Sequence, residues 1–90
     1  MSKAAVDPGE LRRFAQDLKR FNSDLEGLVG SLNGKMRALE ATWRDQEQRK
    51  FAETFDQTVK ALGTFLADSH THVQFLAKKA ALIEEYLKQR

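Results

Sequence analysis

Large apolar residues recur at alternating steps of three and four through Leu11, Phe14, Leu18, Phe21, Leu25, Leu28 and Leu32. That spacing returns a side chain to the same face of a helix at every turn and marks a helix that packs in coiled-coil fashion. A second track runs through Phe51, Phe55, Val59, Leu62, Leu66, Val73, Leu76, Ala80, Ile83 and Leu87, widened by Phe65, Phe75 and Tyr86. Between the two tracks lies Trp43-Arg44-Asp45. A short break between two long amphipathic helices turns them back on each other. The expected fold is therefore all-α: an antiparallel two-helix hairpin with its bend near residues 42–46.

Local signals set the expected ends. Asp7 suits the N-cap of the first helix, Pro8 its first position and Glu10 its third. The first helix is expected over about 8–41. The seam position after Leu32 would be Lys35, but the stripe moves to Met36, Leu39 and Trp43. Such an inserted step of four is a stutter that relaxes left-handed supercoiling near the turn. The second helix is expected over about 46–88, capped by Asp45 with Gln48 three residues on as a reciprocal capping box. Thr42 competes as a cap one turn earlier. At 1.5 Å per residue the second helix reaches roughly 65 Å and the first roughly 50 Å, so the C-terminal turns overhang or fray.

Gly27, Gly30 and Gly34 interrupt the first helix, where each glycine is worse than alanine by about 1 kcal/mol. With Ser23, Ser31, Ala38 and Ala41 they make a strip of small residues, which lets a facing backbone or Phe approach closely or else loosens the helix there. The stretch is no phosphate loop, because neither Gly-Lys-Ser/Thr nor a preceding strand is present.

Composition narrows the function. Ninety residues make a single domain, 1–90, with a limited core. No Cys is available for a disulfide or a thiolate metal site. The net charge of +2 is spread along the chain, unlike the concentrated basic face of a nucleic-acid binder. The basic pairs Arg12-Arg13, Lys19-Arg20 and Lys78-Lys79 coat solvent faces. No apolar run approaches the roughly 20 residues that span a bilayer, so no stable membrane insertion is expected. Met1 to Pro8 lacks the apolar core of a cleavable signal peptide. His70 and His72 are two apart and point to different helix faces, and Asp68 with His72 does not close a metal site. No nucleophile pattern appears. The expectation is no enzyme, no cofactor and no metal.

Two helices cannot enclose a core. The widened stripes leave Phe and Leu side chains facing water, and a second hairpin would bury them in a four-helix bundle. A dimer is expected, with the interface and the helix packing drawn from Leu11, Phe14, Leu18, Phe21, Leu25, Leu28, Leu32, Leu39, Phe51, Phe55, Leu62, Phe65, Leu66, Val73 and Leu76. Self-sufficient stripes on both helices favour a homodimer over pairing with a paralogous hairpin.

The chain resembles the WXG-hundred family, small helical hairpins exported by type VII (ESX-like) secretion systems and related to the early secreted antigenic target proteins. Val6-Asp7-Pro8-Gly9-Glu10-Leu11 resembles the family's entry into its first helix, and Trp43 falls mid-chain. Phe51 and Phe55 follow at the family's offsets, and Tyr86 lies where a C-terminal tyrosine is common. The resemblance implies a bacterial cytoplasmic protein that is then secreted or displayed, with a type VII secretion ATPase among its contacts.

Two departures stand out. Asp45 replaces the Gly of the family's Trp-x-Gly bend. Asp tolerates left-handed backbone angles better than most residues, so the hairpin is expected to survive. The family's export tag is Tyr-x-x-x-Asp/Glu, whereas Tyr86 is followed at that spacing by Arg90. Tyr86 is thus a degenerate tag position. By the resemblance, export then relies on a tag supplied by a partner subunit, or the chain is a divergent or non-exported relative. Two other functions fit the stripes: an intracellular helical adaptor or chaperone, and a self-assembling structural subunit. Trp43 reads either as a plug closing the bend or as part of a recognition patch.

Overall fold

The computed structural model describes residues 6–89, which form two helices, α1 (Pro8–Glu40) and α2 (Gln46–Lys88). They lie antiparallel in a rod of 68 × 19 × 16 Å. Its length is close to the roughly 64 Å that the 43 residues of α2 span at about 1.5 Å each. Met1 to Ala5 and Arg90 lie outside the described residues, so the signal-peptide reading and the last position of the export tag fall largely outside them.

Both N-termini are built as local chemistry dictates. Asp7 caps α1, its carboxylate accepting from the Gly9 amide at 2.9 Å, with Pro8 at the first position, where no amide is needed. Asp45 caps α2, its carboxylate accepting from the Gln48 amide at 2.9 Å. The expected reciprocal bond is not made. The Gln48 side chain instead donates to Glu40 Oε2 at 3.3 Å, tying the start of α2 to the end of α1. Thr42 does not cap α2 either; its hydroxyl donates back to the Leu39 carbonyl at 3.3 Å. That carbonyl also accepts from the Thr42 and Trp43 amides, and Arg44 Nε reaches the Glu40 carbonyl, so the end of α1 is closed from within the bend.

The bend contains no left-handed residue. Asp45 has φ −86° and ψ −174°, an extended conformation open to any residue, and no described residue has positive φ. Asp45 serves this position as a cap, and the expected left-handed angles play no part. Replacing Asp45 by Ala is expected to lower stability by about 1 kcal/mol, the usual value of an N-cap, with little change in the fold. Urea denaturation followed by circular dichroism measures it.

The seam between the helices differs from the stripe of largest residues. On α1 it runs through Leu11, Ala15, Leu18, Asn22, Leu25, Val29, Asn33 and Met36, each buried or half-buried. On α2 it runs through Gln48, Ala52, Phe55, Val59, Leu62, Leu66, Ser69, Val73, Leu76, Ala80 and Ile83, again each buried or half-buried. Both follow steps of three and four, and the doubled step of four falls at Leu25, Val29 and Asn33 on the seam, about one turn before the Leu28, Leu32 and Met36 at which the stutter is expected. Phe14, Phe21, Leu28, Leu32 and Leu39 are displaced to one side of this seam and stay exposed. Close approach of two helices favours small residues at the contact, which is why Ala15 and Ala80 are buried while neighbouring Phe side chains are not.

Asn22 faces Ser69, a register that sets Ile83 level with Pro8. The last turn of α2 therefore overhangs α1, as the difference in length requires. Gly27, Gly30 and Gly34 serve no close approach within the hairpin: a Cβ on any of them would meet nothing within 4 Å. The hairpin itself supplies no reason for them.

Candidate functional site

A helix turns 100° per residue, so residues one step after a seam position line one edge of the hairpin and residues one step before it line the other. The two edges have opposite chemistry. On the first, Arg12 donates from Nε and Nη2 to both carboxylate oxygens of Glu84, at 2.9 and 2.8 Å. Further along the same edge His70 Nε2 lies 3.2 Å from Glu26 Oε2. This edge is polar, with Lys19, Ser23 and Gln74 between the pairs.

Arg12 and Glu84 perturb each other. The hydrogen bonds from Arg12 hold the Glu84 carboxyl below the usual carboxylate range, desolvation opposes them, and the charges of Arg12 and Lys88 add to the lowering. Glu84 therefore stays ionised in the hairpin to a lower pH than in the unfolded chain. Its contribution is complete above the ordinary carboxylate range and is lost as pH falls through the lowered value. Acid is expected to loosen the free end of the hairpin first, and Glu84→Gln to remove that acid sensitivity. Amide protection factors in the first turns of α1, compared above and below the carboxylate range, measure both effects.

The second edge is apolar. Phe21 and Phe65 meet across the helices edge to face, with ring centroids 6.2 Å apart. Phe14 and Leu28 lie seven residues to either side of Phe21, and Phe51 lies two heptads before Phe65, on the same faces. Tyr86 lies three heptads after Phe65, with Phe75 and Leu82 one step outward. Toward the bend a shallow groove opens between Leu32, Lys35, Met36, Leu39, Phe51 and Phe55. Leu28 is 67% exposed, Phe75 60% and Phe14 56%. Thr58, His72 and Lys79 interrupt the edge on α2. Full burial of a Leu or Phe is worth roughly 1.5–3 kcal/mol, so this edge withholds several kcal/mol from the isolated hairpin. Within the hairpin the only buried apolar residues among those described are Ala15, Leu66 and Ala80.

The bend closes one end of this edge. Trp43 is half-buried and lies 5.8 Å from Phe51, centroid to centroid, and Phe51 stacks on Phe55 at 6.0 Å. The half-buried indole thus packs beside the first turns of α2, next to the apolar edge. Arg44 and Asp45 are exposed and occupied with the bend backbone.

Among the residues expected to pack or dimerise, Leu11, Leu18, Leu25, Phe55, Leu62, Leu66, Val73 and Leu76 line the seam, and Phe14, Phe21, Leu28, Leu32, Leu39, Phe51 and Phe65 lie on the apolar edge. Tyr86 is exposed in the last turn of α2. The reading from residue size missed Asn22, Gln48 and Ser69, the three buried polar residues. Their signal was available: Asn22 falls on the three-four spacing that Ala15 and Val29 complete, and Gln48 and Ser69 fall on the one that runs through Phe55, Leu62 and Leu76. Among the described residues no group of three or more His, Asp or Glu side chains is placed to hold a metal ion, and no helix is long and apolar enough to cross a membrane.

The described residues thus form a capped hairpin with a tryptophan elbow, a thin seam and one uncovered apolar edge. The chain belongs to the WXG100 family, described as proteins of 100 residues with WXG, whose profile matches residues 3–86. This is the family of type VII secretion substrates that the elbow and the aromatic spacing resemble. No curated protein and no solved structure matches the chain.

Proposed function

We propose that the chain is a bundle-forming substrate or partner subunit of a type VII secretion system, associating through its apolar edge with a second hairpin. The observation that carries this reading is the uncovered edge from Phe14 through Phe21 and Phe65 to Phe51, whose Phe and Leu side chains the hairpin leaves exposed. A second copy supplies the same edge and completes a four-helix bundle, and a paralogous hairpin with a matching edge does the same. The protein acts by binding and not by catalysis. It resides in the bacterial cytoplasm until export and is then secreted or displayed.

The elbow supports a second contact. Trp43 and Phe51 present a partly exposed aromatic surface at one tip of the rod, suited to recognition by the secretion ATPase or by a partner subunit. Trp43→Ala is expected to leave far-ultraviolet circular dichroism nearly unchanged and to reduce export or partner capture. Collapse of helicity in that variant would assign the indole to closing the bend alone.

Arg90 in place of the acidic residue of the export tag favours the alternative of an adaptor that remains inside the cell. Cell fractionation separates the two: a secreted substrate or subunit appears in culture filtrate when the secretion ATPase is present, and an adaptor stays in the cytosol in either case.

A further inference from the structure

Halfway along the seam the apolar pattern is broken at one level on both helices. Asn22 is 0% exposed and Ser69 2% exposed, and they are the largest side chains that the described chain buries completely. Ser69 Oγ donates to Asn22 Oδ1 at 2.7 Å. Asn22 Nδ2 is enclosed and has no acceptor. Exchanging the amide nitrogen and oxygen would let the hydroxyl accept but would leave the carbonyl oxygen bare, so a layer of these two groups always strands one of them. The neighbouring seam positions, Leu18 and Leu25 on α1 and Leu66 and Val73 on α2, are all aliphatic. An aliphatic pair at positions 22 and 69 would strand nothing and bury more apolar surface, so stability does not account for this layer.

We infer that Asn22 and Ser69 are positioning residues that fix the register of α1 on α2. The α2 seam repeats every seven residues throughout and is mostly aliphatic, so sliding α2 by one heptad keeps seam against seam. That slide moves the bend by about half a heptad, which is absorbed when one helix loses a turn and the other gains one. Only in the observed register does the amide meet the hydroxyl. One heptad away, Asn22 faces Leu62 or Leu76, and both polar groups are buried without partners. The polar layer therefore penalises the slid hairpins more than the native one. The native register brings Phe21 against Phe65, aligns Arg12 with Glu84 and places Trp43 over Phe51. The layer thereby sets which side chains lie together along the apolar edge, and it does so whether or not the chain dimerises.

The test compares the native chain with two variants of the full protein. Asn22→Val with Ser69→Ala makes the layer aliphatic, using residues the seam already carries at Val29 and Ala15. Asn22→Ser with Ser69→Asn exchanges the two partners and keeps the hydrogen bond. Because the chain contains no Cys, spin labels can be attached at introduced cysteines replacing Ser23 and Lys60, exposed positions on the polar edge that are offset along the rod. Dilution with excess unlabelled chain restricts the measurement to distances within one molecule. A slip of one heptad moves the labels by about 10 Å along the axis. The native chain and the exchanged variant are expected to give a single distance. The aliphatic variant is expected to melt about 5 °C higher or more and to give a second, displaced distance. A single native distance in the aliphatic variant, or a melting point below that of the native chain, would overturn the inference.

Discussion

Replacing Phe21 and Phe65 together by Asp is expected to abolish self-association, weakening it by about 100-fold or more. The two rings sit mid-length on the apolar edge and pack edge to face, so they occupy the centre of any interface built on it. Hot-spot energy concentrates at such central aromatic residues. Two carboxylates at that point would be desolvated without partners, and each would disfavour the docked state. Both residues are about half exposed in the hairpin, 51% for Phe21 and 44% for Phe65, so the seam beneath them is not broken by the change. Sedimentation velocity across a concentration series measures the loss. Retention of full association by the double variant would place the interface elsewhere, for example on the strip of Gly27, Gly30 and Gly34.

Leu66→Ala should cost about 2–4 kcal/mol, the usual range for truncating a buried leucine. Leu66, 8% exposed, is the one large apolar side chain buried in the seam among the described residues; the other buried apolar positions are Ala15 and Ala80. A thin hairpin has little else to offset such a cavity, and the expected loss is a large part of the total stability of a small domain. The urea midpoint should fall sharply with the slope nearly unchanged, which chemical denaturation reads directly. The same truncation at exposed Leu82 is expected to change the stability of the isolated hairpin by less than about 0.5 kcal/mol.

Much of the architecture is legible in the order of residues because it is specified locally. Asp7-Pro8 and Asp45 mark the two helix starts where the structure places them, since caps depend only on the next two or three amides. The break at Trp43 to Asp45 is likewise short-range. What was not legible is tertiary. The spacing through Phe14, Phe21 and Leu28 is a true helical stripe, but it says nothing about which of two adjacent stripes meets the other helix. Large side chains drew the reading to the exposed edge, whereas the observed seam uses Ala15, Asn22 and Ala80, residues whose small size or polarity hides them from a search for hydrophobic bulk. Gln48 shows the same limit: the capping-box spacing is present, yet Glu40 of the preceding helix competes for its side chain. Asp45 shows it for the backbone, because the conformation of the bend follows from how Leu39 and Glu40 carbonyls are satisfied and not from the identity of one residue.

If the apolar edge is the surface on which this protein associates, the native mass of the chain tests that most directly. Equilibrium sedimentation at micromolar concentration is predicted to give twice the 10.3 kDa of one chain, with helix melting that shifts upward as concentration rises. A stable, cooperatively folded species of 10.3 kDa whose melting is independent of concentration would contradict self-association through that edge.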